Sequence, residues 1–144
     1  MPVVIRKKSP PKSTDLCPVN LRTGRRQADI KQSFLDNLFY GMGRAPMAAT
    51  RNDLYTALAL TIRDRVLKQG VQTLETYAEQ DTRMVAYMSA EFLPGPHLAN
   101  NLLNLGITEQ VREAMVELGI DLEELLEQED EPGLGNGGLG RLAS

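Results

Sequence analysis

Five of the eight residues from Gly133 to Gly140 are glycine, and the run opens into Arg141-Leu142-Ala143, which reads as the first turn of a helix. Glycine has no Cβ, so such a segment reaches positive φ and lets a ligand come close to the backbone. A loop of this kind at a helix start presents unpaired N–H donors and the positive end of the helix dipole. The guest that suits it is an anion, most often a phosphate. The chain stops at Ser144, where that helix should begin. The expectation is therefore that part of the fold lies beyond it.

Gly135-Asn136-Gly137-Gly138-Leu139-Gly140 satisfies G-x-G-x-x-G, as does Gly133 with Gly135 and Gly138. A dinucleotide fingerprint needs a strand directly before it and an acid about 20 residues on. Here the acidic stretch Glu127-Gln128-Glu129-Asp130-Glu131-Pro132 precedes it, and no such acid follows. A P-loop fails as well, because Arg141-Leu142 stand where Lys and Ser or Thr belong. What is left is a set of backbone donors suited to phosphate. The acidic stretch would oppose an anion unless its carboxylates point away or pair elsewhere. Its plainest reading is a solvated face.

The net charge of −3 argues against a general nucleic-acid binder. No apolar run reaches the roughly 18 residues that span a bilayer, so neither a membrane nor a nucleic acid is expected as a partner. The start Met1-Pro2-Val3-Val4-Ile5-Arg6-Lys7-Lys8 lacks the apolar core of a secretory signal. One cysteine, Cys17, forms no internal disulfide and fits a reducing, cytoplasmic setting. With a single histidine besides, no metal site is expected.

Residues 1–28 read as a flexible basic tail. Arg6, Lys7, Lys8, Lys12, Arg22, Arg25 and Arg26 face one acid, Asp15, and Ser9-Pro10-Pro11 forbids regular structure. It is either a solvated extension or a regulatory arm with Ser9 and Ser13 as phosphate acceptors. From Asp29, the spacing of Ile30, Phe34, Leu35, Leu38 and Phe39 predicts a helix to about Gly41. Thr50 and Asp53 form a capping-box pattern at the head of a long helix with the stripe Leu54, Leu58, Ile62, Val66. The pattern resumes past Gly70 at Val71, Leu74 and Tyr77, which predicts one helix, bent at most.

Met84-Val85-Ala86-Tyr87-Met88 is a short apolar run without alternation and reads as one buried parallel strand near 84–88. Ser89-Ala90-Glu91-Phe92 then lies past a strand's carboxyl end, where open α/β sheets bind ligands. Glu91 is either catalytic or a carboxylate that braces its own loop. Pro96 suits the first position of a helix carrying Leu98, Leu102, Leu103 and Leu105 and stopped by Gly106. His97, near its start, has a structural and a catalytic reading. A further helix follows Thr108 with Val111, Met115 and Leu118, and ends at Gly119. Asp121 with Glu124 is a second capping-box pattern, ahead of Leu122, Leu125 and Leu126.

The run from Glu131 to Ala143 resembles the glycine-loop signature of the glycogen (α-glucan) phosphorylases. Tyr55-Thr56-Ala57-Leu58-Ala59 with Ile62-Arg63-Asp64-Arg65-Val66 resembles that family's early "YxALAxxxRDRL" helix. Val85 to Leu93 resembles its "VYYLSxEFLxGR" strand and turn, and Asn100 to Gly106 the helix after it. The matches agree in order and spacing over about residues 50–143; the tail carries none.

The resemblance implies an α/β fold of the GT-B type, two Rossmann-like domains with the active site between them. It places residues 29–144 in a truncated N-terminal domain, mostly helical in this stretch. The implied reaction cleaves terminal α-1,4-linked glucose from an α-glucan with inorganic phosphate, giving glucose 1-phosphate. The implied cofactor is pyridoxal 5'-phosphate, working through its own phosphate group in a proton relay, with its lysine outside this chain. The implied catalytic set is Glu91, Gly138 and Leu139, with Gly137, Gly138 and Arg141 at the cofactor. Gly135, Asn136 and Gly140 shape the loop, and the full-length form is a homodimer. Gly95-Pro96 departs from the family's "GR", so a cation common there is missing. Family members run several hundred residues further, so the 144-residue chain is expected to be inactive alone. The rival reading is a non-catalytic helical interaction module, or the remnant of a truncated gene.

Overall fold

The computed structural model describes residues 21–88 and 95–130. They form five α-helices joined by short turns: α1 (Gln27–Asp36), α2 (Arg51–Glu79), α3 (Leu98–Leu105), α4 (Thr108–Glu117) and α5 (Leu122–Leu126). Single 3₁₀ turns sit at Leu21–Thr23 and Pro46–Ala48, and a π turn at Asn37–Gly41. α1 lies against α2 and α4, while the N-terminal half of α2 meets α3 and α5.

One core joins all five helices. Ile30 and Phe34 enter it from α1, Ala57, Leu58 and Ile62 from α2, and Leu98, Leu102 and Leu105 from α3. Val111, Ala114 and Met115 of α4 and Leu122 and Leu125 of α5 close it. Each set repeats at three- and four-residue spacing, which puts it on one helix face. Leu103 falls between those positions and is exposed, although the sequence pattern grouped it with its neighbours. Gly106 and Gly119 take the left-handed conformation, φ 65° and 71°, and end α3 and α4 as expected.

α2 starts on the reciprocal cap that the sequence predicts. The Asp53 amide donates to Thr50 Oγ1 at 3.2 Å, and the Thr50 amide donates to Asp53 Oδ2 at 2.9 Å. The Thr50 amide, then its hydroxyl, holds the Asp53 carboxyl below the ordinary aspartate range, against burial. Arg26 does the same for Asp29, first through its hydrogen bonds. A carboxylate whose folded pKa is depressed adds stability above its unfolded value, about 3.9, and that stability is lost as pH falls through the folded value. Thermal melts followed at 222 nm should thus agree between pH 7 and pH 5 and drop by several degrees at pH 3. Equal midpoints at pH 3 and pH 7 would refute both pairings.

α2 is a single helix of 29 residues through Gly70. Its second half leaves the core: Val66, Leu67, Val71, Leu74 and Tyr77 are all exposed, so the predicted stripe is buried only as far as Ile62. Nothing lies within 4 Å of a Cβ built at Gly70. Gly70→Ala should therefore stabilise this half by about 0.5–1 kcal/mol, through helix propensity alone. Slower amide exchange over residues 71–79 is the expected reading, and unchanged exchange the contrary one.

Two expectations are corrected. Met84–Met88 is not a buried strand: no strand forms among the described residues, and Val85 and Met88 are 94% and 91% exposed. A strand needs partners for its N–H and C=O groups, and one apolar on both faces needs two covering layers. The helices described here provide neither. Phe39 is not on the buried face of α1 either. The π turn adds a residue to the helical step, with the Met42 amide donating to the Asn37 carbonyl at 3.0 Å. Leu38 turns inward, while Phe39 and Tyr40 pack edge to face outside.

Hydrogen bonds also reach back to Arg22, within residues 1–28. Arg65, 3% exposed on α2, donates from Nε to the Gly24 carbonyl at 2.9 Å and from Nη1 to the Thr61 carbonyl at 2.7 Å. Burial pulls its guanidinium below the ordinary arginine value, with Asp64 and Asp29 acting the other way. Arg22 bonds Asp64 and the buried Asn37, whose amide donates to Thr61 Oγ1 at 3.0 Å.

Candidate functional site

The described residues nearest in sequence to the glycine segment are the end of α5 and the turn behind it. Asp121 caps α5 by accepting from the Glu123 amide at 2.9 Å; Glu124, the expected capping-box partner, pairs with Arg51 of α2 instead. Leu122 and Leu125 hold α5 in the core. After Leu126 the chain keeps winding, and the Gln128 and Glu129 amides donate to the Leu125 and Leu126 carbonyls at 3.1 and 3.3 Å.

This turn aims Glu129 at the head of α3. Its Oε1 accepts from the His97 amide at 2.8 Å and its Oε2 from the Leu98 amide at 2.9 Å. A helix start has orphan N–H groups and a positive dipole end, so a carboxylate satisfies both needs there. His97 occupies the N-cap position without making a side-chain cap bond, and Pro96 lies outside the helix it was expected to open. Tyr55 of α2 stands near the same corner. Burial, then the charges of Glu129 and Asp130, push its phenol above the ordinary tyrosine value, so it stays a neutral hydrogen-bonding group.

The acidic stretch is therefore more than a solvated face. Glu129 ties the turn after α5 to the segment 95–98 at the head of α3. Glu91 lies six residues before His97, and Gly137 eight residues after Glu129. Glu123 and Glu124 pair with Arg112 and Arg51, so part of the acidic charge of α5 is met by cations. With both oxygens on backbone amides, Glu129 links the turn after α5 to the head of α3.

Sequence reasoning missed Glu129, and the sequence carries no signal that separates it from Glu127 or Glu131. The expected site residues Glu91, Gly135, Asn136, Gly137, Gly138, Leu139, Gly140 and Arg141 lie outside the described residues. Pyridoxal phosphate needs a lysine amine. The described lysines, Lys31 and Lys68, are engaged with Glu117 and Thr23. The described residues thus do not fit that group, and no chemical step is derived through it. Among them, no cluster of three His, Cys, Asp or Glu could hold a metal ion, and no helix is long and apolar enough to cross a membrane.

Comparison with known proteins adds what these residues alone do not carry. Residues 115–144 match the family model described as carbohydrate phosphorylase. Over 123 residues, 85% of this chain, the sequence is 55% identical to glycogen phosphorylase of Synechocystis sp.. It is 42% identical to glycogen phosphorylase of Chlamydia trachomatis over 123 residues. With the brain form of glycogen phosphorylase from Bos taurus it shares 44% over 117 residues, 81% of the chain. These matches span only 14–15% of the relatives' own lengths, about one seventh. Identity at this level, together with the family-model match over residues 115–144, establishes that the chain belongs to the glycogen phosphorylase family.

Proposed function

We propose that this chain forms part of the N-terminal domain of a GT-B α-glucan phosphorylase. That enzyme splits terminal α-1,4-linked glucose from an α-glucan with inorganic phosphate and yields glucose 1-phosphate. In this reading the amides of Gly137 and Gly138 face phosphoryl oxygens, and Leu139 lies beside the glucosyl unit. Gly135, Asn136 and Gly140 shape the loop, Arg141 anchors the helix behind it, and Glu91 stands at the cofactor side. Preorganised amides matter because charge developing on phosphate is met without reorganisation. Pyridoxal 5'-phosphate is the cofactor that the family resemblance implies, with its lysine outside this chain, and no step of this reading runs through it. The working form is a cytoplasmic homodimer.

One observation carries this reading: the Glu129 carboxylate on the His97 and Leu98 amides, which joins the chain before the glycine segment to the chain after Glu91. Family membership supports it independently. The test replaces the 123 matched residues of the Synechocystis enzyme with those of this chain. The chimera should release glucose 1-phosphate from glycogen and phosphate, and the isolated 144-residue chain should release none. A folded but inactive chimera, or turnover by the isolated chain, would overturn the proposal.

A further inference from the structure

The outer half of α2 carries a second pattern, on the side of the helix away from the core. Buried Ala57, Leu58, Thr61, Ile62 and Arg65 mark the face that the first half turns inward. At about 100° per residue, Leu67, Val71, Leu74 and Ala78 fall on the opposite face. Their spacing of four, three and four is the a/d seam of a coiled coil, narrower than the stripe of a core helix. All four are exposed, Leu67 by 55%, Val71 by 45% and Leu74 by 61%. Gly70 and Tyr77 border one edge of this seam, Lys68 and Glu75 the other. Lys68 donates to Thr23 Oγ1 at 3.3 Å, and an ammonium carries three donors.

We propose that this seam docks a second copy of the chain, with the two outer halves of α2 packed antiparallel. A two-fold axis between Val71 and Leu74 gives each seam residue an apolar partner. Val71 meets Leu74 of the second copy, and Leu67 meets Ala78 of the second copy. On one edge Lys68 faces Glu75 of the second copy, and the two-fold repeats the contact, so two opposite-charge pairs flank the seam. On the other edge Tyr77 faces Gly70 of the second copy, where nothing lies within 4 Å of a Cβ and a ring has room. A parallel, in-register pairing would instead set Arg63 against Lys68, like charges that oppose it. The two cores stay apart, because each seam faces away from its own core. This pairing gives the homodimer proposed above a surface, and it rests on that reading.

From Leu67 to Ala78 the seam is about 18 Å long at 1.5 Å per residue, so the interface is small and reversible. Sedimentation equilibrium of the 144-residue chain should show monomer passing to dimer, and nothing larger, with a Kd on the order of 100 µM. Leu74→Glu should keep the helix signal at 222 nm and raise that Kd by about tenfold or more. Lys68→Glu and Glu75→Lys should each raise it by about threefold to tenfold, and the double swap should restore the wild-type value. A chain that stays monomeric well above 100 µM overturns the proposal; slow amide exchange at residues 67–78 in that monomer would assign the seam to a segment of the same chain. Association that Leu74→Glu leaves unchanged also overturns it, by placing the contact elsewhere. A double swap no better than either single variant overturns the antiparallel register. A monomeric chimera, by contrast, would strike at the homodimer reading. Should Leu74→Glu lose its helix signal, the charge swap makes the comparison.

Discussion

Phe34→Ala is expected to cost about 3–5 kcal/mol, the range for truncating a buried aromatic side chain. Phe34 is 1% exposed, on the face of α1 that meets the shared core. The ring's loss removes transfer free energy and leaves a cavity among helices that cannot all collapse inward at once. A small domain holds about 5–15 kcal/mol in total, so this one change takes a large share. Urea unfolding followed at 222 nm should show the midpoint displaced far to low urea, with substantial unfolding in the absence of denaturant. Phe39→Ala is the matched control. Phe39 is 54% exposed on the π turn, so its loss should fall within about 0.5 kcal/mol of wild type. Similar midpoints for the two variants would mean that the π turn does not sort these rings as described.

Gly138→Pro in the phosphorylase chimera should lower kcat by about 10²–10³, the loss measured when one preorganised oxyanion donor is removed. Proline has no N–H, so the substitution deletes the donor itself and also restricts the preceding residue. Gly138→Ala keeps the N–H and tests the space a Cβ would fill. Initial rates of glucose 1-phosphate release separate the two. With the donor as the source of the effect, proline lowers kcat far more than alanine and leaves KM for glycogen nearly unchanged. Equal losses would point to crowding, and no loss to a loop remote from the chemistry.

Local chemistry was the legible part of this sequence. Thr50 and Asp53 announced their cap because both partners lie within one helical turn. Gly106 and Gly119 ended their helices because the left-handed conformation suits few other residues. The continuity of α2 through Gly70 could be read from the stripe on either side.

Long-range partnership was not legible. The apolarity of Met84–Met88 says that the run favours cover but not what covers it. No local pattern marks Arg65 for burial, yet it bonds a carbonyl 41 residues away. Phe39 was misplaced because a π turn has no signature in the spacing of apolar residues. Of the candidate site, the glycine run lies outside the described residues, and Glu129 was not legible because its acceptor role depends on where α5 points.

The outward half of α2 has a consequence for how the protein opens. From Val66 to Glu79 it adds about 20 Å of rod at 1.5 Å per residue. Its first half packs into the core, while Val71, Leu74 and Tyr77 of the outer turns are exposed. A continuous helix of this kind need not melt as one piece: its tip can unravel and rewind while the braced turns stay shut. Any surface that came to lie along Val71, Leu74 and Tyr77 would steady those turns first, so order would spread along the rod from the point of contact.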